Sequence, residues 1–491
     1  MGEQDAVVDN RVAAVVIMAA GAGTRMRSSI PKVLHRIAGK SMVALAIDAA
    51  DALAPERLVV VVGHQREQVT AHLAEVAPNV IVAVQERQLG TGDAVRAGLA
   101  ALKEVSGAVV VTSGDVPLLA GETLQDLVGA HRVEGNAITV LTAVVPDPTG
   151  YGRIVREGDE VARIVEQRDA SDAELELSEI NSGIYVFEAS VLSEGIAALE
   201  AKNDQGELYL TDVVAHARAA GRRVGARLLT DYLQTEGVND RVQLAERGAE
   251  LNRRILSRWM AEGVTVVDPA STWVHAGVDL AEDVTLLPGT SLEGATSVSR
   301  GATIGPDTTL IDVEVGENAR VVRTHAELAV IGPEVTVGPF AYLRPGTELG
   351  ARAHVGAFVE TKKAIIGEGS KVPHLTYCGD ARIGAGSNIG AGTIFANYDG
   401  VGKYTTTVGS HSFVGSDSVL VAPVNIADGA YVAAGSTITE DVGPGELAVA
   451  RGRQSNIPGW VAEKRPGTAS ASAAAAALAS AAAPAAQEES E

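Results

Sequence analysis

Apolar positions along this chain follow two rhythms. From residue 11 to about 235, unbroken apolar runs alternate with stretches of helical periodicity. The runs are AAVVIM (13–18), RLVVVVG (57–63), VIVAV (80–84) and AVVVTS (108–113). Continuous Val/Ile segments of this kind are strands buried on both faces, and their alternation with helices predicts a doubly wound, Rossmann-like α/β domain. Ligands in such sheets bind beyond the carboxyl ends of the strands. The turn at Gly21 and the carboxylate of Asp115 both fall at such ends.

Residues 240–262 contain no proline, and Leu244, Leu251 and Ile255 recur at helical spacing, so one connecting helix closed by Gly263 is predicted. The period then changes to six. Leu280, Leu286, Leu292, Val298, Ile304 and Leu310 show it first. Ile331, Val337, Leu343, Leu349 and Val355 repeat it, as do Val408, Val414, Leu420, Ile426, Val432 and Ile438. This spacing is neither helix nor hairpin; it is the hexapeptide repeat of a parallel β-helix, with one apolar residue pointing inward per flat side. Gly305, Gly332, Gly338, Gly350, Gly356, Gly409 and Gly415 follow the apolar position and are expected at tight corners. The glycine-poor rungs at 280–300 are expected to form an imperfect first coil.

The period lapses once. After Ile383, Ile389 and Phe395 comes ANYDGVGKYTTT (396–407), an insertion that must project from the coil. Its Asn397, Tyr398, Asp399 and Lys403 suit a ligand site better than an inert loop. From Pro466 the chain is Ala-rich and of low complexity; alanine favours helix locally but there is almost nothing to bury, so the tail is expected to be disordered or weakly helical. The expected domains are therefore 1–239, a connecting helix at 240–263, the β-helix at 264–465 and a tail at 466–491.

Composition narrows the function. A formal net charge of −22 argues against nucleic acid as a partner, since that needs a basic face. The one cysteine, Cys378, permits neither an intrachain disulfide nor a Cys-rich zinc site. The apolar run at 12–20 follows the acidic segment MGEQDAVVDN and is too short to span a bilayer. A cytoplasmic protein without stable membrane insertion is expected.

The opening stretch, VVIMAAGAGTRMRSSIPKVLH (15–35), leads from a strand through Gly21-Ala22-Gly23-Thr24-Arg25 to Pro31-Lys32. Small residues let backbone N–H groups approach a phosphate, and Arg25 and Lys32 add positive charge. No Gly-Lys-Ser/Thr follows, so this is not a Walker loop; Met26 excludes the dinucleotide fingerprint. The compound G-x-G-T-R-M…P-K pattern resembles the sugar-1-phosphate nucleotidyltransferases. QERQLGTGDA (85–94), SGDVPLL (113–119), GYGRI (150–154), IVEQ (164–167), INSGIY (180–185) and GVND (237–240) agree with it.

The repeat half narrows the resemblance. YLRPGTEL (342–349), FVETKKA (358–364), KVPHLTYCGDARIG (371–384) and NIGAGTIFANYDG (388–400) resemble the bifunctional bacterial N-acetylglucosamine-1-phosphate uridyltransferase/glucosamine-1-phosphate acetyltransferase family. The likeness covers residues 11 to about 460. It implies a left-handed β-helix, a homotrimer assembled through it, and Mg²⁺ as cofactor. It also implies two activities that give UDP-N-acetylglucosamine for the cell envelope. One acetylates glucosamine-1-phosphate with acetyl-CoA; the other transfers UMP from UTP and releases pyrophosphate.

By this resemblance UTP and its product are bound by Ala19, Ala20, Gly21, Gly23, Arg25, Lys32, Gln85, Gly90, Thr91, Asp115, Gly152, Glu166, Asn181 and Asn239. Asp115 and Asn239 hold the metal; a carboxylate with phosphate oxygens and water suits magnesium. Arg344, Lys362, Tyr377 and Asn388 take the sugar phosphate of the second site, and Ala391, Asn397, Tyr398, Ser416, Ala434 and Arg451 take acetyl-CoA. His374 is the general base; an imidazole, titrating near pH ~6.5, can accept the amine proton at neutral pH. One position departs: Asp93 stands where the family usually has His.

Two other readings remain open on sequence. One is a single-site nucleotidyltransferase whose β-helix serves assembly or regulation; the His374 segment and the 396–407 insertion weigh against it. The other is a non-enzymatic trimeric scaffold, which leaves the Gly21 turn and Asp115 unexplained.

Overall fold

The computed structural model describes residues 11–201 and 206–482, so the tail expected at 466–491 is described only as far as 482. The chain divides into two compact units, with the boundary after Lys363.

The first unit opens with a mixed sheet. Its strands are β1 (Val12–Ala19), β2 (Leu58–Val62), β3 (Ile81–Val84), β4 (Ala108–Ser113), β5 (Ile138–Val144), β6 (Arg153–Glu157), β7 (Glu160–Val165), β8 (Glu179–Glu188) and β9 (Val224–Leu229). The main order is β9-β5-β8-β4-β1-β2-β3, with the β6–β7 hairpin attached to β8. All four apolar runs read from the sequence are parallel strands here. β8 is antiparallel to both β4 and β5. Its Asn-Ser-Gly interior, where the register shifts, hides it from a search for unbroken apolar runs.

Alternate residues of each strand point to opposite faces, and both faces are covered. Val16, Val59, Val111 and Phe187 pack on one side; Val15, Ile17, Val60 and Val110 pack on the other. Each such side chain is fully buried, worth roughly 1.5–3 kcal/mol of transfer free energy. This double burial fixes the strand ends, and so the turns that follow them.

The connecting helix runs Arg241–Ala261. Asp240 caps it, its carboxylate accepting from the N–H groups of Val242 and Gln243 at 2.9 Å each. The buried Asn252 amide donates to the Thr272 carbonyl at 2.8 Å and accepts from Val274 N–H at 2.9 Å. Ala276 N–H donates to the Ala38 carbonyl at 2.9 Å. The first coils are thus bonded to the helix and to the α/β part, which is why compactness does not divide where the sequence period changes.

Within this unit Leu286, Ile304, Val321, Val337 and Val355 stack in parallel register along one side of the left-handed β-helix. The rungs at 280–300 are regular, contrary to the expectation of an imperfect coil: Leu280 pairs with Val298 and Leu292 with Leu310. Buried threonines do the work there, Thr290 and Thr296 each donating from the hydroxyl to a turn carbonyl at 2.7 Å. The glycines also need correcting. Of the seven that follow an apolar residue, only Gly305 and Gly338 have left-handed φ; residues such as Asp283, Asp307 and Asn318 turn other corners. Gly332 is required instead by the next coil, since a Cβ there would lie 2.6 Å from the Leu349 carbonyl oxygen.

The second unit continues the repeat with Ile383–Val408–Ile426, Ile389–Val414–Val432 and Phe395–Leu420–Ile438 as its inward columns. Partner spacing is 18 residues from Val414 to Val432 but 25 from Ile389 to Val414. The excess is the insertion, a hairpin closed by Tyr404 N–H donating to the Asn397 carbonyl at 2.9 Å. Of the two states expected for the tail, Ala469–Ala482 takes the helical one. Its face is almost wholly exposed, so alanine's intrinsic propensity rather than burial accounts for it. Among the described residues no helix is long and apolar enough to cross a membrane.

Candidate active sites

A cavity of about 270 Å³ opens at the carboxyl ends of β1 and β4, lined by Ala19, Ala20, Gly21, Lys32, Gln85, Gly90, Thr91 and Asp115 among others. Gly23 holds a left-handed conformation, and a Cβ there would lie 2.6 Å from Lys32 Cβ, so glycine is what lets the lysine cross the turn. Lys32 ion-pairs with Asp115 and reaches Asn239 Oδ1 at 3.3 Å. The other carboxylate oxygen of Asp115 accepts from Ser113 Oγ at 2.7 Å. Val238 N–H donates to the Asp115 carbonyl at 2.9 Å, which sets Asn239 beside it. Two residues distant in sequence, Asp115 and Asn239, therefore converge on the Lys32 ammonium group. Arg25 is exposed on the Thr24–Met26 turn, whose Met26 is buried, and lies outside the lining.

The 85–94 segment closes another wall. Gln85 is buried, its Nε2 donating to the Gly90 carbonyl at 3.1 Å and to Asp93 Oδ2 at 2.9 Å. Asp93, also buried, is ion-paired with Arg96. The departing carboxylate therefore faces Gln85 rather than the cavity. Gly90 has φ +105°, and a Cβ would lie 2.6 Å from the Leu208 carbonyl oxygen. Thr91 Oγ1 accepts from Leu210 N–H at 3.1 Å. Gln88, not singled out from the sequence, donates to the Ala20 carbonyl at 2.6 Å.

Gly152, Glu166 and Asn181 form a second cluster in this unit. Asn181 N–H donates to the Gly152 carbonyl at 2.9 Å, and the space above Gly152 is bounded by Glu166 Oε2 and Asn181 Cβ. Burial pushes the Glu166 carboxyl above its ordinary range, against a 3.3 Å hydrogen bond from Thr211. A larger cavity of about 650 Å³ at the opposite strand ends, lined by His131, Arg132, Asn136 and others, contains none of these residues. Farther along the unit, Arg344 pairs with Glu360 at 2.8 Å, and Lys362 lies two residues beyond on the same outward face.

In the second unit one corner of the coil gathers most of the remaining candidates. Gly392 N–H donates to the His374 carbonyl at 3.2 Å; on the next coils Asp417 N–H reaches the Ala391 carbonyl and Gly435 N–H the Ser416 carbonyl, both at 2.8 Å. Arg451 Nη1 closes the column on the Ala434 carbonyl at 2.8 Å. His374, Ala391, Ser416, Ala434 and Arg451 thus run along one edge, with the His374 side chain exposed. Just past that corner, Asn397 Nδ2 donates to the Tyr377 hydroxyl at 3.4 Å and to Asp380. Asp380 was missed because only the fold brings it to the insertion. Tyr398 spends its hydroxyl on its own hairpin, at Gly400. Asn388 is in register with Lys371 and Phe413 at the strand start and shares no hydrogen bond with Tyr377 or Asn397. Cys378 is fully buried, and burial pushes its thiol up to about 12.

Residues 14–264 match the family described as Nucleotidyl transferase, and residues 405–440 match the Hexapeptide repeat of succinyl-transferase. The Bifunctional protein GlmU of Streptomyces avermitilis is 58% identical over 464 residues, covering 94% of this chain and 96% of that protein. Its namesake from Streptomyces coelicolor is 56% identical over the same shares of the two chains. The namesake from Mycolicibacterium vanbaalenii is 55% identical, covering 94% of this chain and 95% of its own. With both halves matched in order over nearly their whole length, the chain belongs to the bifunctional GlmU family.

Proposed function

We propose that the cavity at the end of β1 is a uridylyl-transfer site and the His374 corner an acetyl-transfer site of one bifunctional enzyme. The enzyme acetylates glucosamine-1-phosphate with acetyl-CoA. It then transfers UMP from UTP to N-acetylglucosamine-1-phosphate, giving UDP-N-acetylglucosamine and pyrophosphate. The observation that carries the first site is the convergence of Asp115 and Asn239 oxygens on the Lys32 ammonium beside the Gly21 turn.

In uridylyl transfer a phosphate oxygen of the sugar phosphate attacks the α-phosphorus of UTP, and the bond to pyrophosphate breaks. Positioning and charge stabilisation suffice, with no covalent enzyme intermediate. Backbone N–H groups around Gly21 and the Lys32 ammonium in the cavity are assigned to the triphosphate, and Arg25, outside the lining, adds positive charge. A carboxylate and an amide oxygen that already share one cation fit Mg²⁺; Asp115 and Asn239 would hold it, and it supplies further charge neutralisation on the triphosphate. Gly152, Glu166 and Asn181 take the sugar.

In acetyl transfer the amine of the sugar attacks the thioester carbonyl, His374 takes the proton, and the C–S bond breaks to release CoA. The edge column of Ala391, Ser416, Ala434 and Arg451 gives the extended acetyl-CoA its track. Asn388, Asn397 and Tyr398 serve the same pocket with Tyr377. Arg344 and Lys362 are assigned to the sugar phosphate on their charge, Arg through its planar fork. The working protein is a cytoplasmic homotrimer.

Product analysis by mass spectrometry, starting from glucosamine-1-phosphate, acetyl-CoA, UTP and Mg²⁺, tests the whole reading. UDP-N-acetylglucosamine, pyrophosphate and free CoA are expected. Pyrophosphate formed only when acetylated sugar is supplied, with no CoA released from glucosamine-1-phosphate and acetyl-CoA, would reduce the second unit to a scaffold.

A further inference from the structure

Asp93 has a bonding role that bears on which base the cavity accepts. The Gln85 amide has both Nε2 hydrogens engaged, one on the Gly90 carbonyl and one on Asp93 Oδ2. Both partners only accept, so the amide has a single satisfied orientation. Gln85 cannot slide to relieve this, since its backbone N–H donates to the Val62 carbonyl at 2.8 Å. Arg96 engages Asp93 Oδ1 and so keeps Oδ2 turned to Gln85. What remains for the cavity that Gln85 lines is Oε1, a pure acceptor.

We propose that Asp93 sets base specificity in the uridylyl reaction by locking Gln85 as a hydrogen-bond acceptor. The proposal rests on the uridylyl reading of this cavity. Asp93 is a positioning residue; it acts through Gln85. An acceptor pairs with the N3–H of uracil, whereas cytosine presents a lone pair at N3 and leaves two acceptors facing each other. An unlocked amide would turn over and offer Nε2 to cytosine. Rejection by an unpaired buried polar group is a stronger filter than rejection by shape.

The test is kcat/KM for UTP and for CTP, with N-acetylglucosamine-1-phosphate and full-length protein, in wild type, Asp93→Asn and Asp93→Ala. Melting curves of the same preparations, compared with wild type, report folding of the unit that carries Asp93. In Asp93→Asn, Arg96 claims Oδ1 and the new amide N–H groups face Gln85, so the lock is lost without a change of shape. The UTP-over-CTP preference is expected to fall about tenfold, the worth of one such hydrogen bond, with the loss in KM for UTP. Asp93 also stands in the first turn of helix Thr91–Ala100, where a carboxylate favours the helix dipole. That role alone would weaken both nucleotides alike and leave the ratio unmoved. An unchanged ratio in Asp93→Asn overturns the proposal; if that variant does not fold, an unchanged ratio in Arg96→Gln does so. A wild type with no preference for UTP would instead overturn the base-reading assignment of the cavity, and the proposal with it.

Discussion

Single side chains decide what each site can do. Cys378 sits beside the proposed acetyl pocket, and an acyl-cysteine intermediate is the obvious alternative to direct attack. Its thiol is buried in the coil and pushed up to about 12, so the thiolate is scarce at neutral pH. Cys378→Ala is expected to retain most acetyl transfer, measured as CoA release; an acetyl-cysteine trapped on the pathway would overturn the direct mechanism. Glu166 carries a stability cost. Burial raises its carboxyl above the ordinary 4.5, so the folded state holds the proton more tightly than the unfolded chain. Stability therefore falls as pH rises from that ordinary value through the raised one, and the loss persists above it. Glu166→Gln is expected to raise the first melting transition by about 2 °C or more at pH 8 and by less at pH 5, while raising KM for the sugar phosphate. Equal melting at both pH values would contradict the burial argument.

At the scale of elements, the sequence was most readable where one physical requirement repeats. Four buried strands showed as apolar runs, and the coil showed as a six-residue period, because every rung must present one apolar side chain inward. β8 was not readable, since its Asn181-Ser182-Gly183 interior serves the candidate sugar cluster rather than the core. The glycine rule misled for a related reason. Corners can be turned by Asp or Asn in the left-handed region, whereas Gly332 answers to the neighbouring coil, which sequence spacing does not reveal. The site clusters were legible through family-like segments, but Asp380 and Gln88 were not, because each is placed only by chain segments far away in sequence. The Ala469–Ala482 helix tests the opposite limit, an element with propensity and no burial. Truncation after Gly467 is expected to leave both activities near wild type in separate assays. A large loss in either would mean that the tail contributes to a site.

At the scale of the molecule, flat coil faces imply assembly. In the first unit Phe340 and Phe358 stack at 5.3 Å with more than half of each side chain in solvent, and Leu328 is similarly exposed. Large apolar groups left exposed at coil corners favour burial in a protein interface, and cyclic closure buries them without leaving an open end. Light scattering at micromolar concentration should give a trimer mass; a monomer mass would sink the assignment. The two chemistries should also separate by mutation at the residues proposed for each reaction centre, which belong to different compact units even though Arg344 and Lys362 lie in the first. Lys32, Asp115 and Asn239 lie before the connecting helix, and the His374 corner lies after Lys363. His374→Ala is expected to lower acetyl transfer by ~10²–10⁴-fold, the usual worth of general-base help. It should leave uridylyl transfer to supplied N-acetylglucosamine-1-phosphate nearly intact. Asp115→Ala should do the reverse, since it removes the carboxylate at the proposed metal position, and Lys32→Ala should follow it by removing the charge at the phosphates. Assaying each half-reaction on its own substrate is the measurement. If His374→Ala and Asp115→Ala each crippled both half-reactions while the protein stayed folded and trimeric, the two sites would have to be coupled. Catalysis would then depend on communication between units that the independent hydrogen-bond networks of the two sites do not require.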